Sequence, residues 1–317
     1  MTILVTGGAG YIGRHVVRAL AARGDGVVVA DLPETFAIVE VPFLGVDLAG
    51  AGAADALEEF LRANRVDAIL HLAARKRVDE SLERPEWYQS QNVGGLEHVL
   101  TAARAAGVGR VVFSSTAAVY ASSPEPVRED AVLAPANPYG TTKLEGEGLV
   151  AAYAESTGAR AVSLRYFNVA GADDATLAER EAHNLIPIVI ERLAAGERPA
   201  VYGDDYDTAD GTCVRDFIHV ADLVDAHLVA LDALADGPAH RVYNVGTGEG
   251  ATVRQVVDRL IELTGSPLEP AIGPRRPGDP AVVVADASSI RDELGWRPRH
   301  DLDAILRSAV ATTVSQH

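Results

Sequence analysis

Two side chains in the stretch Asn137-Pro138-Tyr139-Gly140-Thr141-Thr142-Lys143 have the types and spacing for proton transfer. Tyr139 and Lys143 are four residues apart, ahead of a run of helix formers from Leu144 to Glu155, so on a helix they stand one turn apart on one face. A free phenol has a pKa near ~10, and lowering it by about 3 units takes roughly 4 kcal/mol. One fixed ammonium at about 4 Å supplies gross attraction of that order at an effective dielectric of ~20. The pair can therefore act as a phenolate base held ready by a cation. Taken alone, it also reads as a half-buried tyrosine beside a solvated lysine. A hydroxyl cluster, Ser114-Ser115-Thr116, closes a strand-like run from Arg110 to Phe113. It could donate to a substrate oxygen and relay a proton to Tyr139, or simply satisfy a strand end.

The elements that must position these groups begin at the N-terminus. Thr2 to Thr6 reads as a buried strand, followed by Gly7-Gly8-Ala9-Gly10-Tyr11-Ile12-Gly13 and an apolar-periodic helix to about Ala22. Strand, glycine turn and helix form the context of a dinucleotide fingerprint, with the pyrophosphate at the helix N-terminus. Gly7, Gly10 and Gly13 have one of its spacings, and Gly8, Gly10 and Gly13 the other. A second strand, Gly26 to Ala30, ends at Asp31. An acid there binds adenosine ribose hydroxyls and repels a 2′-phosphate, which favours NAD, although Arg14 beside the loop could tolerate NADP. Asp47, after a third strand ending at Val46-Asp47-Leu48, could meet the adenine amino group or cap the following helix, Ala53–Ala63. Strand Asp67–His71 leads into Leu72-Ala73-Ala74-Arg75-Lys76, on the edge where open α/β sheets bind ligands. His71 reads more readily as a packed histidine than as a ligand. Asn92 falls in a helix expected from Pro85 to Ala106.

Strand Arg160–Arg165 leads to Tyr166-Phe167-Asn168, and the βα repeats to this point imply a Rossmann-type, doubly wound parallel sheet. Beyond Asn168 the alternation fades, and a smaller α/β domain is expected. The reading gives residues 1–168 to the dinucleotide-binding domain, with about 213–246 returning to it. Residues 169–212 and 247–317 form mainly the smaller domain. Arg215 in Asp210-Gly211-Thr212-Cys213-Val214-Arg215-Asp216 could pair with Asp216 or clamp a phosphate. Arg275 and Arg276, in a proline-bounded loop ending at Asp279, could do the same or form a solvated face.

Composition narrows the class. The 317 residues carry a net charge of −17, which disfavours nucleic-acid and anionic-membrane partners. There is no apolar run near the length of a membrane span and no basic leader ahead of the first strand. The single cysteine, Cys213, excludes an internal disulfide, so a cytoplasmic setting is expected. The nine histidines show no metal-ligand spacing, and no metal is expected. Only two of the 28 basic side chains are lysines, Lys76 and Lys143, and both fall inside motifs.

With the glycine loop, Ser114-Ser115-Thr116, Tyr139-x-x-x-Lys143 and Arg165-Tyr166-Phe167-Asn168 together, the chain resembles the extended short-chain dehydrogenase/reductase superfamily. Within it the sequence is similar to the UDP-glucose (UDP-galactose) 4-epimerases nearly end to end, most specifically over His71–Asn92, Tyr202–Asp222 and Arg275–Asp279. The resemblance implies that Gly7, Gly10, Tyr11, Ile12, Gly13, Asp31, Asp47, Leu48, Leu72, Ala73, Ala74, Lys76, Asn92, Tyr139, Lys143 and Phe167 line a tightly held NAD. Thr116 and Tyr139 then meet the sugar. Asn168, Asn184, Leu185, Ala200, Val201, Tyr202, Arg215, Arg276, Asp279 and Val283 surround the sugar, uridine and diphosphate of a UDP-sugar substrate. The implied catalytic set is Tyr139, Lys143 and Thr116. Tyr139 takes the proton from the sugar O4 while hydride leaves C4 for NAD, the 4-keto sugar turns, and hydride returns to its other face, so that NAD is regenerated each turnover. A homodimer built on the Asn92 and Tyr139 helices is also implied.

One exclusion of a related class and three departures bear on this. Thr116 is followed by Ala117-Ala118, where related dehydratases and decarboxylases carry an acid, and this favours epimerisation. Leu32-Pro33-Glu34-Thr35 replaces a usually polar, basic segment, so adenosine contacts beyond Asp31 are not carried over. Ala74, Arg75 and Arg77 alter the loop near the nicotinamide. Val283 stands where a bulky residue excludes N-acetylated sugars, so UDP-N-acetylhexosamines are expected to be accepted as well. Competing readings are a 4-epimerase of UDP-glucuronate or of a secondary-metabolite nucleotide sugar and, from another class, an NAD-binding sensor or scaffold without turnover.

Overall fold

β-Branched runs bounded by glycine or polar turns become strands here, and the amphipathic stretches between them become helices. The computed structural model describes residues 1–38, 40–179, 183–276 and 278–314. In chain order the first elements are β1 (Thr2–Thr6), α1 (Tyr11–Arg23), β2 (Gly26–Asp31), β3 (Phe43–Gly45), α2 (Ala53–Ala63), β4 (Ala68–His71), α3 (Val78–Glu83), α4 (Pro85–Tyr88), α5 (Gly95–Ala106) and β5 (Arg110–Thr116). Next come α6 (Pro138–Thr157), β6 (Arg160–Tyr166), β7 (Asn168–Ala170), α7 (Leu185–Ala194), β8 (Ala200–Tyr202), β9 (Val214–His219), α8 (Val220–Ala233) and β10 (His240–Val245). The last are β11 (Gly250–Thr252), α9 (Val253–Thr264), β12 (Ala271–Gly273), β13 (Val282–Val283), α10 (Ser288–Leu294) and α11 (Leu302–Val314).

A seven-stranded sheet runs in the order β3-β2-β1-β4-β5-β6-β10. Its pairs β1–β2, β2–β3, β1–β4 and β4–β5 are parallel, with Leu4 opposite Val28 on one side and Ile69 on the other. The apolar residues of the central strands are buried, and Leu4, Ile69, Val111 and Phe113 share a core with Leu57, Leu61, Leu96 and Val99 of the covering helices. Strand order reverses between β1 and β4. That reversal makes the carboxyl ends of these two strands the point where an open α/β sheet receives a ligand.

The chain forms two compact units. The first comprises Met1–Val119, Leu133–Arg165 and Val224–Tyr243; the second comprises Tyr120–Val132, Tyr166–Leu223 and Asn244–His317. The second unit takes up stretches that the sequence reading gives to the large domain. Val214–His219 does not return to the seven-stranded sheet, because β9 pairs antiparallel with β11 and parallel with β13 and β7. Tyr120–Val132 joins the second unit too, since the Val127 amide bonds the Val284 carbonyl at 2.9 Å. β8 and β12 form a separate parallel pair. The core of this unit gathers Ile186, Val189, Val201, Phe217, Val256, Leu260 and Ile305.

Two local differences from the sequence reading matter below. The helix expected from Pro85 to Ala106 is interrupted by a π turn at Gln89–Gly94, between α4 and α5. The third strand ends at Gly45, short of Asp47. Residues 180–182, within the stretch from Gly171 to Pro187, lie outside the described residues, as does Pro277 in the arginine loop. No helix among the described residues is long and apolar enough to cross a membrane.

Candidate active site

Helix α6 starts where it does because Asn137 caps it: Oδ1 accepts the Gly140 amide at 2.9 Å, and Pro138 occupies the first turn. The cap fixes Tyr139 in the first turn and Lys143 one turn on. Both are buried, Tyr139 at 8% and Lys143 at 3% exposure, so the solvated-lysine alternative is ruled out. The Lys143 Nζ donates to the Ser114 carbonyl at 2.8 Å and lies 5.0 Å from the centre of the Phe113 ring. Burial pulls the Lys143 ammonium down to about 7, and the nearby Glu147 carboxylate partly offsets this.

Strand β5 runs through all three hydroxyl residues. Ser114 Oγ meets His227 Nε2 at 3.2 Å, and Ser115 Oγ donates to Glu147. Thr116 Oγ1 accepts the Ala118 amide at 3.2 Å and keeps its own proton for another acceptor. Of the cluster, Thr116 is the member suited to a substrate oxygen.

The dinucleotide loop sits at the switch point. Gly7 has φ +71°, and a Cβ there would meet the Ala73 amide nitrogen at 2.7 Å, so only glycine lets this turn approach the Leu72–Lys76 loop. Helix α1 opens at Tyr11 with no side-chain cap from Gly10, which suits an anion at its N-terminus. Asp31 Oδ2 accepts the Ala9 amide at 2.9 Å, and Oδ1 accepts the Leu32 amide at 2.8 Å. Burial raises the Asp31 pKa, and these two bonds oppose the rise. A cradle closed to any side chain at Gly7, an uncapped helix start and a carboxylate at the end of β2 are what a nicotinamide adenine dinucleotide requires.

Asn92 lies in the π turn and binds in three directions. Its Oδ1 accepts the Arg75 amide at 2.7 Å, and its Nδ2 donates to the Arg75 carbonyl and to Thr142 Oγ1, each at 3.0 Å. One side chain thereby ties the loop after β4 to the Tyr139 helix, and π turns of this kind recur at functional sites. Asp47 accepts the Ala49 amide at 3.0 Å and does not cap α2, whose N-cap is Gly52. Leu48 packs its side chain into the core, and its carbonyl meets His98 Nδ1 at 2.7 Å. Tyr11 and Ile12 are half-buried in the first turn of α1, while Lys76 is exposed after β4. His71 is the packed histidine the sequence suggests, 2.9 Å from Thr6 Oγ1 and stacked on Phe113. Burial, with the Lys143 charge adding, pulls its pKa down to about 3.

In the second unit the candidates divide by exposure. Arg215 and Asp216 alternate across β9 and do not pair with each other. The Arg215 Nη1 donates to the Val214 and Pro280 carbonyls at 2.9 Å, and Nη2 is 3.6 Å from Asp279 Oδ1. Asp216 is buried and accepts the Thr247 amide and hydroxyl and the Gly248 and Ala285 amides, so it is structural. Val283 stands opposite Arg215 across the β13–β9 pair. The Arg276 guanidinium carbon lies 4.2 Å over the Tyr202 ring, and Arg275 is held by Asp205 at 2.6 Å. Thus Arg276 is the candidate of the two for a diphosphate. Asn168 Nδ2 donates to the Asp216 carbonyl at 3.1 Å, and exposed Asn184 leans on Glu179 at 3.2 Å. Leu185 opens α7, and Ala200 opens β8. The Val201 side chain is fully buried in the core, so only its peptide groups can meet a ligand; Phe167 is buried as well. Among the described residues no group of three or more His, Cys, Asp or Glu could hold a metal ion.

The sequence reading passed over Asn137 as a cap and Glu147 and Arg165 as a buried pair. Glu147 continues the four-residue spacing of Tyr139 and Lys143, and that stripe is visible in the sequence.

The family model described as NAD dependent epimerase/dehydratase family matches residues 3–246. The chain is 46% identical to the UDP-glucose 4-epimerase of Azospirillum brasilense over 98% of its own length and 91% of the relative's. It is similar in structure to a UDP-glucose 4-epimerase from Stenotrophomonas maltophila with bound NAD and formylated UDP-arabinopyranose, with a TM-score of 0.92, 37% identity, and coverage of 100% and 98% of the two chains. The UDP-Glc/GlcNAc 4-epimerase of Campylobacter jejuni matches with a TM-score of 0.84, 36% identity, and 99% of both chains covered.

Proposed function

The chain belongs to the NAD-dependent epimerase/dehydratase family, and we propose that it is an isomerase interconverting UDP-glucose and UDP-galactose through a 4-keto sugar. The observation that carries this reading is the buried Tyr139–Lys143 pair, with Lys143 anchored on Ser114 of the strand that ends at Thr116, in the unit that bears the dinucleotide cradle. When bound, NAD supplies the acceptor and donor of the hydrogen at sugar C4. Gly7, Gly10, Gly13 and the start of α1 hold its pyrophosphate, Asp31 its adenosine ribose, and Lys76 and the Leu72–Ala74 loop its remaining edge. Asn92 keeps that loop in register with α6.

Tyr139 removes the proton from the sugar 4-hydroxyl and later returns it. A neighbouring ammonium favours the phenolate, and Lys143 stands one turn away with its nitrogen anchored on Ser114. Thr116 donates to the sugar oxygen. The Ala117-Ala118 sequence after it offers no carboxylate, so elimination of water has no acid to promote it. In the second unit Arg215 and Arg276 take the diphosphate, Tyr202 the uracil, and Asn168, Asn184 and Leu185 the sugar side, with Ala200 and Val201 contributing main-chain groups.

Half-exposed Val283 supports acceptance of N-acetylated sugars, because valine leaves room that a larger residue would fill. Homodimerisation through the helical run from α4 to α5 and through α6, and a cytoplasmic location, complete the proposal. The functional test is incubation of purified protein with UDP-galactose and no added NAD, following UDP-glucose by chromatography and NADH by absorbance. Conversion without NADH build-up is expected. Absence of UDP-glucose even with NAD supplied overturns the substrate.

A further inference from the structure

Beneath the Tyr139–Lys143 pair lies an ion pair with no part in the reaction as described above. Glu147 is one turn beyond Lys143 on α6, so Tyr139, Lys143 and Glu147 form one stripe. The Glu147 and Arg165 side chains are 6% and 4% exposed. Arg165 grips the carboxylate with both arms of its fork, Nε to Oε1 at 2.9 Å and Nη2 to Oε2 at 2.6 Å. Ser115 Oγ donates to the same Oε1. Successive turns of α6 are therefore bolted to successive residues of β5: Lys143 to the Ser114 carbonyl and Glu147 to the Ser115 hydroxyl, with Thr116 next along the strand. The surfaces are also drawn close, since a Cβ at Gly146 would meet the Phe113 ring at 2.6 Å.

We propose that Glu147 and Arg165 are positioning residues for the proton-transfer pair, a charge-balanced brace that holds Thr116 and Lys143 in register and sets how tightly Tyr139 and Lys143 hold their protons. The proposal rests on the epimerase reading for its catalytic meaning, but its electrostatic content does not. Lys143 faces Glu147 and Tyr139 on its own helix, His71 from β4 and the Phe113 ring from β5. Glu147 faces Ser115 from β5, Arg165 from β6 and His240 from β10, and His227 reaches Ser114 from α8. Glu145, on another face of α6, bonds Gln89. Burial lowers the pKa of His71 to about 3 and shifts that of His240 downward. The carboxylate and guanidinium are thus the fixed charges nearest the lysine. With both present, Glu147 supports the Lys143 ammonium, and Arg165, forked onto the same carboxylate, limits that support. Remove one, and the charge of the other is left unbalanced in a dry interior, Glu147 one helical turn from Lys143 and Arg165 beyond it.

The direction follows for the pair as a unit, which titrates in two coupled steps. Glu147→Gln leaves an extra positive charge and moves both limbs of the pH–kcat profile to lower pH. Arg165→Met leaves an extra negative charge and moves both to higher pH. A shift of about one to two pH units is expected for one charge at such a distance and an effective dielectric of ~20. The double variant restores the balance and returns the limbs to the wild-type positions, at lower thermal stability. Arg165→Lys, which keeps the charge but not the fork, also keeps the limbs in place. Ultraviolet titration of tyrosinate, with Tyr139→Phe as the blank, follows the same ionisation without substrate, so failure of the epimerase reading leaves this test intact. Opposite shifts in the two single variants support the brace. Shifts in the same direction, or none in folded variants, overturn it. Should neither single variant fold, Arg165→Lys and the double variant decide, because a displaced limb in either contradicts charge balance.

Discussion

In the first unit Tyr139, Lys143 and Thr116 are buried, and Lys143 is tied to β5 at Ser114, whereas in the second unit Tyr202, Arg276 and Asn184 lie at the surface, Arg276 over the Tyr202 ring and Asn184 on Glu179. The first arrangement suits chemistry that depends on position: a phenol, an ammonium and a hydroxyl held before any ligand arrives, which reduces reorganisation at the moment of reaction. The second suits recognition of a charged, hydrated ligand, with side chains that exchange one partner for another on binding. Arg215, 3.6 Å from Asp279, is placed for such an exchange. On the proposed reading, the buried region sets the reaction type and the exposed one the substrate range.

The largest effect should come from the buried region. Tyr139→Phe removes the proton acceptor and is expected to lower kcat by about 10²–10⁴-fold with KM little changed, read in steady-state kinetics on UDP-galactose. A variant that loses affinity but keeps kcat would break the division between the two regions. Arg215→Ala should act the other way, raising KM by about 10–100-fold, the size of a lost charge-assisted hydrogen bond, with a smaller change in kcat. Val283→Tyr sharpens the comparison further: it should abolish turnover of UDP-N-acetylgalactosamine while UDP-galactose is still converted. If the parent protein does not turn over the N-acetylated sugar at all, the pocket reading is wrong.

The smallest effect concerns stability. The folded His71 pKa of about 3 lies below the unfolded value of about 6.5, so between these pH values the unfolded chain binds more protons. Stability from this buried neutral ring is present above about 6.5 and is lost as pH falls toward 3, by about 2 kcal/mol at pH 5. Thermal melts from pH 7 to pH 5 should show a steeper loss in the parent than in His71→Gln. Equal slopes would mean that another group carries the acid sensitivity.

Much of the buried region was legible in the sequence because its constraints are local. The glycine loop, Asp31 and the four-residue spacing of Tyr139 and Lys143 each lie within one turn or one strand end. The first core followed from short apolar runs. What was not legible depends on pairing across distance. The placement of β9 in the second sheet is set by partners at Gly250–Thr252, Val282–Val283 and Asn168–Ala170, none of which marks Val214–His219 locally. The Arg215–Asp216 alternative fails because adjacent strand residues face opposite sides, a rule available beforehand. Arg165 could be read only as part of a motif, since its partner Glu147 lies 18 positions away on another element. The π turn at Asn92 breaks an otherwise helical pattern without a proline to announce it, and the partners that Asn92 meets there, Arg75 and Thr142, are distant in sequence.

The central claim is that hydrogen leaves and returns to one sugar carbon inside the site, with Tyr139 moving the proton of its hydroxyl, and that none of the carbon-bound hydrogen is lost to solvent. The most direct measurement is conversion of UDP-galactose deuterated at C4 in ordinary water, with the product examined by mass spectrometry and proton NMR. UDP-glucose that retains the deuterium at C4 is the predicted result. Product carrying solvent hydrogen at C4, at a rate matching turnover, would contradict the account.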